Sequence, residues 1–244
     1  MNIAIITASG RGTRMGEEYK DSPKQFLDVE GKPVLFYCLE KFENNNNIDA
    51  IIIVTLKDYI SFVQDKVNEY DLKKIKAIVQ GGDTLKQSIM KGFEKAKDFM
   101  SSEDDTIVIH DGVRPMVFDS VITDIIKSAK EKGPSLTGIP NKTGNFMITE
   151  NSEVNKFYTK NQVYAGGTPQ ALSAKDLQYA YNEGIKRNIL DDENYGTCFI
   201  SLLYTLGKKI YIVQDKELMN LKITTPAELE IFRAIIRIRE EKNK

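Results

Sequence analysis

The sequence has few of the residues from which enzymes build covalent or metal-centred active sites. It contains two cysteines, one histidine and no tryptophan. Two cysteines are too few for a disulfide scaffold or a thiolate metal site, and they fit a reducing compartment. We expect Cys38 and Cys198 to fill core. The single histidine, His110, excludes His-rich metal chemistry, and we expect it to be a packed, hydrogen-bonded residue rather than a base or ligand.

Charge of one sign and long apolar runs are also lacking. The formal net charge is −1, so there is no basic surplus to neutralise a nucleic-acid backbone. No apolar run approaches eighteen residues, and the N-terminus does not resemble a signal peptide. We therefore expect a cytoplasmic protein, formed by one domain over residues 1–244, that binds neither nucleic acid nor membrane.

What the first half of the chain does contain is an alternation of apolar strands and amphipathic helices. Strands are predicted at residues 3–6, 50–55, 75–79 and 106–110, and helices from Pro33 and over residues 57–70 and 84–99. In the last helix the spacing of Leu85 indicates a core position. This alternation predicts an α/β fold with a mostly parallel sheet flanked by helices, and ligands at the carboxyl ends of its strands.

A glycine-rich, cationic segment follows the first strand directly. Gly10 and Gly12 let the backbone turn tightly and direct its N–H groups towards one anion. Four cationic side chains suit several phosphates better than one carboxylate: Arg11, Arg14, Lys20 and Lys24. A nucleoside triphosphate is the simplest ligand that requires all of these groups.

Two related phosphate-binding motifs are excluded. The dinucleotide motif would place a third glycine where this chain has Met15, and a P-loop needs a Gly-Lys-Ser/Thr step that is absent here. An ordinary strand-to-helix turn with solvated cations remains the alternative. The Arg14–Met15 and Pro23–Lys24 pairs favour phosphate binding.

The loop motif, residues 8–15 followed by residues 23–26, resembles the CTP-dependent polyol-phosphate cytidylyltransferases. The best-known members of that family make CDP-methylerythritol and CDP-ribitol. Five separated motifs carry the resemblance, which runs from Ala8 to Pro226. It implies a Rossmann-like nucleotide-diphospho-sugar transferase fold, a CTP donor, Mg²⁺, and a homodimer formed through a β-arm at approximately residues 138–165.

The resemblance also implies roles for individual residues. A nucleotide-binding role is implied for Ala8, Ser9, Gly10, Gly12, Thr13, Gly81, Gly82, Ser88 and Asp111. Catalytic roles are implied for Arg14, Lys24 and Lys222. Asp111, at the end of a buried strand, would also hold the metal together with phosphate oxygens. Acceptor binding is implied for Gly112, Arg114, Lys160 and Thr168.

Several of these roles leave alternatives open. Arg114 would either contact the acceptor or brace its loop, and Lys160 is either a ligand of the neighbouring subunit's acceptor or an exposed hairpin lysine. The acidic residues 191–193 are expected to begin a helix rather than to bind a metal.

Relatives commonly have other residues where this chain has Leu85, Lys160 and Leu190. These departures favour ribitol 5-phosphate or a similar surface-polymer precursor as acceptor over methylerythritol 4-phosphate. Another phosphate or phosphonate acceptor, another nucleotide donor, and a catalytically idle binding protein remain alternatives.

Overall fold

A seven-stranded sheet forms the centre of the structure, a computed structural model that describes residues 1–19, 22–142, 146–215 and 220–242. The strands, in chain order, are β1 (Asn2–Ala8), β2 (Asp28–Val29), β3 (Lys32–Pro33), β4 (Ala50–Thr55), β5 (Ile75–Gln80), β6 (Thr106–Asp111), β7 (Ser135–Pro140), β8 (Phe146–Glu150), β9 (Glu153–Tyr158), β10 (Tyr164–Ser173) and β11 (Tyr211–Gln214). The order in the central sheet is β11-β7-β10-β6-β1-β4-β5.

The sheet is mostly parallel, as predicted. Strand β1 pairs in parallel with β4 and β6, and only β10 runs antiparallel to its neighbours. Every residue of β1, β4 and β6 is buried, which explains their continuous apolar sequences. The register pairs Thr7 with Asp111, so the carboxyl ends of β1 and β6 lie side by side at one edge of the sheet.

Seven α-helices are present in the described residues: α1 (Val34–Asn44), α2 (Ile60–Glu69), α3 (Leu85–Ala96), α4 (Asp119–Glu131), α5 (Ala174–Lys186), α6 (Phe199–Thr205) and α7 (Pro226–Lys242). One apolar core joins the sheet to α1, α2 and α4, and a second joins its other face to α3, α5 and α6. A third cluster packs α7 against Met15 and Val113, and so fixes two segments that lead to the carboxyl edge of the sheet.

Three local predictions need comment. The helix predicted over residues 57–70 consists of a 3₁₀ turn, Lys57–Tyr59, followed by α2. The helix predicted to begin at the acidic residues 191–193 is wrong, because only a 3₁₀ turn, Glu193–Tyr195, forms there. Cys38 is core as predicted, whereas Cys198 is only partly buried and lies at the N-cap of α6.

A separate two-stranded sheet projects between β7 and β10. It pairs β8 with β9 in antiparallel register, within the range predicted for the β-arm. In the described part of the chain, no helix has the length and apolar character needed to cross a membrane.

Candidate nucleotide-binding site

A cavity of about 320 Å³ opens at the carboxyl ends of the central strands. It brings together residues that are far apart in the sequence. The predicted site residues that line it are Ala8, Ser9, Gly10, Arg11, Gly12, Arg14, Lys24, Gly82, Ser88, Asp111 and Lys222. Predicted Lys20 lies outside the described residues, and Thr13 begins the 3₁₀ turn Thr13–Met15.

The glycine-rich loop is held open by local backbone geometry and by Gln25. Gly12 has a left-handed conformation, with φ of 71°, and its carbonyl accepts from the Met15 N–H at 2.9 Å. The Gln25 amide donates to Ala8 O at 2.7 Å and to Gly10 O at 3.0 Å. No role was predicted for Gln25, but this buried amide holds two carbonyls of the loop and so shapes it.

Lys24 places a desolvated cation in the cavity. The residue is 7% exposed. Burial, followed by the nearby cations Lys222 and Arg14, lowers the pKa of its amine to about 8. An anion bound among these three side chains would relieve their mutual repulsion. The site therefore favours a ligand with several negative charges.

Asp111 places a carboxylate beside these cations. Its Oδ2 lies 3.0 Å from Lys222 Nζ and 3.0 Å from Arg114 Nε. Burial acts to raise the pKa of this carboxyl, but the two cations outweigh burial and lower the pKa to about 2. Asp111 is therefore ionised at neutral pH.

A hydrogen-bond network behind Asp111 fixes the position of this carboxylate. Arg114 Nη1 donates to Asn220 O at 2.8 Å, and Asn220 Nδ2 donates to Thr168 O at 2.6 Å. The Asp111 N–H in turn donates to Thr168 Oγ1 at 3.1 Å. Arg114 thus braces the loop, one of the two roles left open for it. Its contact with an acceptor stays a prediction.

His110 is a packed residue, as expected. It is fully buried, and its Nε2 lies 3.2 Å from Arg114 O. Burial lowers the pKa of the imidazole to about 4, so the ring is neutral at physiological pH.

The opposite wall of the cavity is formed by the segment that leads into α3. Ser88 Oγ accepts from the Gly82 N–H at 3.0 Å and from Ser9 Oγ at 3.0 Å, which ties this wall to the glycine-rich loop. A Cβ atom on Gly81 would lie 2.4 Å from Ser9 Cβ, so only glycine permits this close approach.

The prediction that Leu85 is core is wrong. Leu85 is 40% exposed and lines the cavity. Leu85 shares the helical spacing of Ile89 and Phe93, but it is the first residue of α3 and projects beyond the end of the sheet that buries the other two. Periodicity alone cannot show where a helix extends past its supporting strands.

The chain is similar to known proteins over almost its whole length. Residues 2–238 match the family described as IspD: 2-C-methyl-D-erythritol 4-phosphate cytidylyltransferase. The chain belongs to the IspD family. It is 33% identical to a ribitol-5-phosphate cytidylyltransferase of Streptococcus agalactiae over 240 residues, which cover 98% of this chain and 97% of the relative.

Other relatives have a different named acceptor. A 2-C-methyl-D-erythritol 4-phosphate cytidylyltransferase of Clostridium novyi is 33% identical over 237 residues and 96% of each chain. The crystal structure of 4-diphosphocytidyl-2C-methyl-D-erythritol synthase from Anaerococcus prevotii superposes with a TM-score of 0.78 at 26% identity, over 97% of this chain and 96% of that one. These matches confirm the resemblance and the Rossmann-like fold.

Three departures from the IspD-family pattern can now be located. Leu85 borders the cavity. The Leu190 side chain packs near Gly184, while its carbonyl accepts from Lys86. Lys160 lies in a separate cavity of about 430 Å³ at the base of the β-arm, together with Lys142 and Tyr164. The structure therefore does not bring Lys160 together with the other predicted site residues of its own chain.

Gly112 stands where the structure leaves no room for a side chain. A Cβ atom at this position would lie 2.7 Å from Leu35 Cδ1 and 3.2 Å from Thr7 O. Leu35 thus occupies the space that an alanine methyl group would need. Acceptor binding by Gly112 stays a prediction.

Proposed function

We propose that the protein transfers CMP from CTP to a polyol phosphate, giving a CDP-polyol and pyrophosphate. The observation that carries the proposal is the cavity in which Arg14, Lys24 and Lys222 converge beside the glycine-rich loop. Fixed cations at the carboxyl ends of parallel strands suit a triphosphate. Membership of the IspD family supports the same reaction type.

The reaction needs no nucleophile from the protein. The second pKa of a phosphate monoester is about 6, so the acceptor phosphate is already anionic at neutral pH. One of its oxygens attacks the α-phosphorus of CTP in line, the new O–P bond forms, and the bond to the bridging oxygen breaks with release of pyrophosphate. Arg14 and Lys24 stabilise the charge that develops on the α-phosphoryl oxygens. Lys222, held by Asp111, orients the attacking phosphate.

Mg²⁺ is part of the proposal, with Asp111 as its protein ligand. Within the described ranges, no three His, Cys, Asp or Glu side chains gather into a metal site. A lone ionised carboxylate fits a magnesium ion that takes its remaining ligands from water and substrate phosphates. When bound, the ion would neutralise charge on the triphosphate.

We also propose a homodimer in which the β-arm reaches the partner. The arm exposes large apolar side chains that a monomer leaves in water: Phe146 at 46%, Met147 at 53%, Ile148 at 51% and Phe157 at 63%. A two-stranded hairpin is marginally stable alone, so these side chains need a surface to cover them. The separate cavity at Lys160 would then contribute to the acceptor site of the other subunit.

The proposed acceptor is ribitol 5-phosphate or a similar surface-polymer precursor. Identity does not separate the two named acceptors, since relatives of both kinds are 33% identical to this chain. The residues at Leu85, Lys160 and Leu190 favour ribitol 5-phosphate over methylerythritol 4-phosphate, because they depart from the pattern that the resemblance leads us to expect.

The experiment that tests the function is pyrophosphate release with CTP and Mg²⁺ over a panel of acceptors. The panel contains ribitol 5-phosphate, methylerythritol 4-phosphate, glycerol phosphates and simple phosphonates. We expect release with ribitol 5-phosphate, and we expect Lys24→Ala to abolish it while Lys127→Ala, on the exposed face of α4, leaves it unchanged. Turnover of Lys24→Ala close to that of the wild type, or a preference for ATP or GTP, would contradict the proposal.

A further inference from the structure

Residues 190–196, which lie more than a hundred positions further along the chain, contact the first turn of α3. The carboxylate of Asp191 accepts from Thr84 Oγ1 at 2.8 Å and from Gln87 Nε2 at 3.3 Å. Thr84 lines the cavity and caps α3, and Gln87 lies in the first turn of that helix. Asp191 thus contacts the cavity wall from its outer side.

Lys86 forms a second contact between α3 and residues 190–196. It is 3% exposed, and its Nζ donates to Leu190 O and, at 2.8 Å, to Gly196 O. Burial lowers the pKa of this amine. A buried ammonium is costly unless its hydrogen bonds are made, so the contact holds both ends of residues 190–196 in place.

Hydrogen bonds also join the residues of the wall, 82–88, to one another. Thr84 Oγ1 caps α3 by accepting from the Gln87 N–H at 3.1 Å, and Gln87 Oε1 accepts from the Asp83 N–H at 3.2 Å. On the inner side, Ser88 Oγ accepts from the Gly82 N–H. Residues 82–85 are therefore held from inside by Ser88 and from outside by residues 190–196.

We propose that Asp191 is a positioning residue for nucleotide binding. Together with Lys86 it forms a latch that holds residues 82–85 in the conformation that receives CTP. The inference rests on the proposed function, and it specifies which distant residue sets the affinity of the same site. Neither Asp191 nor Lys86 lines the cavity, so they act through the wall rather than on the ligand.

The test compares Asp191→Ala with its neighbour Asp192→Ala in the full-length protein. Among the described residues, Asp192 Oδ1 accepts only within the segment, from the N–H and the side-chain amide of Asn194. The control therefore removes the same charge without opening the latch. Two quantities are measured: the dissociation constant for CTP by calorimetry, and hydrogen exchange of the amides of residues 82–88.

We expect Asp191→Ala to weaken CTP binding about 10-fold, the loss of one to two hydrogen bonds, and to accelerate exchange at residues 82–88. At saturating CTP, kcat should be unchanged. Asp191→Asn should give an intermediate effect, because its amide oxygen can still accept from Thr84 while its NH₂ cannot accept from Gln87. Asp192→Ala should remain within about 2-fold of the wild type.

Two results would overturn the inference. One is unchanged CTP affinity and unchanged exchange in Asp191→Ala. The other is a rise in KM for the acceptor with CTP affinity intact, which would make Asp191 an acceptor ligand. Failure of the proposed function is separate: a wild-type protein that binds no CTP would refute that function, and exchange at residues 82–88 would still decide whether the latch exists.

Discussion

The ammonium of Lys222 lies 3.0 Å from the buried carboxylate of Asp111. The two residues come from opposite parts of the chain, Asp111 from the end of β6 and Lys222 from the segment before α7. The Ile223 N–H donates to Val113 O at 2.9 Å and holds these segments together. The pair gives the cavity a cation of fixed position and an anion beside it.

The first prediction concerns the pH dependence of CTP capture. The pKa of Lys24 is lowered to about 8, so the cation is present below pH 8 and is lost above it. We expect kcat/KM for CTP to fall about 10-fold per pH unit above pH 8, because this parameter reports the free enzyme. The decline in kcat should begin at a higher pH than the decline in kcat/KM, because bound phosphates favour the ammonium form of Lys24 and so raise its pKa.

The control for this profile is Lys24→Arg, which retains charge throughout the range because guanidinium does not titrate there. Even with reduced activity, its kcat/KM should show no alkaline decline centred near pH 8. A decline that persists unchanged in Lys24→Arg would assign the titration to another group.

The second prediction concerns Mg²⁺ and Asp111→Asn. Without metal, the variant should bind CTP at least as tightly as the wild type, because an anion that faces the triphosphate has been removed. With Mg²⁺, the wild type should gain affinity and the variant should gain little, because a neutral amide is a poorer ligand than a carboxylate. CTP titrations by calorimetry, with Mg²⁺ or with EDTA, measure both. An equal effect of Mg²⁺ on the two proteins would exclude Asp111 as the ligand.

Much of this fold was accessible from the sequence, and the reasons are physical. The strands β1, β4 and β6 are buried on both faces, which requires the continuous apolar runs by which they were predicted. The cations Arg14 and Lys24 stand in one recognisable loop motif. Asp111 ends a strand that neighbours β1, so its place at the same edge follows from a parallel sheet.

What the sequence did not reveal depends on contacts between distant segments. Gln25 shapes the loop through two backbone carbonyls. The motif of residues 23–26 marks its position but does not reveal these hydrogen bonds. The contact between Lys86 and residues 190–196 has no signal within either segment. Leu85 was assigned to core because periodicity describes a helix face and not where the sheet beneath it ends.

The third prediction uses two glycines of the site as a matched pair. In Gly81→Ala the new methyl group would meet Ser9 Cβ at 2.4 Å, whereas Gly10→Ala meets nothing within 4 Å. We expect Gly81→Ala to lower the free energy of unfolding by about 1–3 kcal/mol and to abolish CTP binding. Gly10→Ala should leave stability within about 0.5 kcal/mol of the wild type. Denaturant unfolding and CTP titration measure the two effects.

Loss of CTP binding in Gly10→Ala despite unchanged stability would show that a phosphate approaches the Gly10 backbone closely. Wild-type stability in Gly81→Ala would show instead that the loop and the α3 wall move apart freely, contrary to the close contact described.

The fourth prediction concerns the β-arm. Phe157→Glu places a charge on an arm side chain that is 63% exposed in the single chain. If the arm packs against a second copy, this charge would be buried at the interface, and the variant should be monomeric with reduced acceptor turnover. Light scattering coupled to size-exclusion chromatography measures the mass.

Tyr204→Glu, at a side chain that is 72% exposed on α6, is the control and should keep the mass of the wild type. A wild-type protein that is monomeric at all concentrations would contradict the dimer.

The last prediction separates the network behind Asp111 from the catalytic groups. Asn220 is 4% exposed and donates to Thr168 O, so Asn220→Ala leaves a buried carbonyl without its donor. We expect the free energy of unfolding to fall by about 1–3 kcal/mol. We expect kcat to fall as well. Without the side-chain bond to Thr168 O, the Asn220 backbone is held less firmly, and its carbonyl is the acceptor for Arg114, which holds Asp111 and through it Lys222.

The control is Asn182→Ala on the exposed face of α5, which should change stability by less than about 0.5 kcal/mol. Affinity for CTP measured without Mg²⁺ should be preserved in Asn220→Ala, because Arg14, Lys24 and the glycine-rich loop do not depend on this network. A variant that loses stability but keeps the kcat of the wild type would show that Lys222 holds its position without the Arg114–Asn220–Thr168 brace.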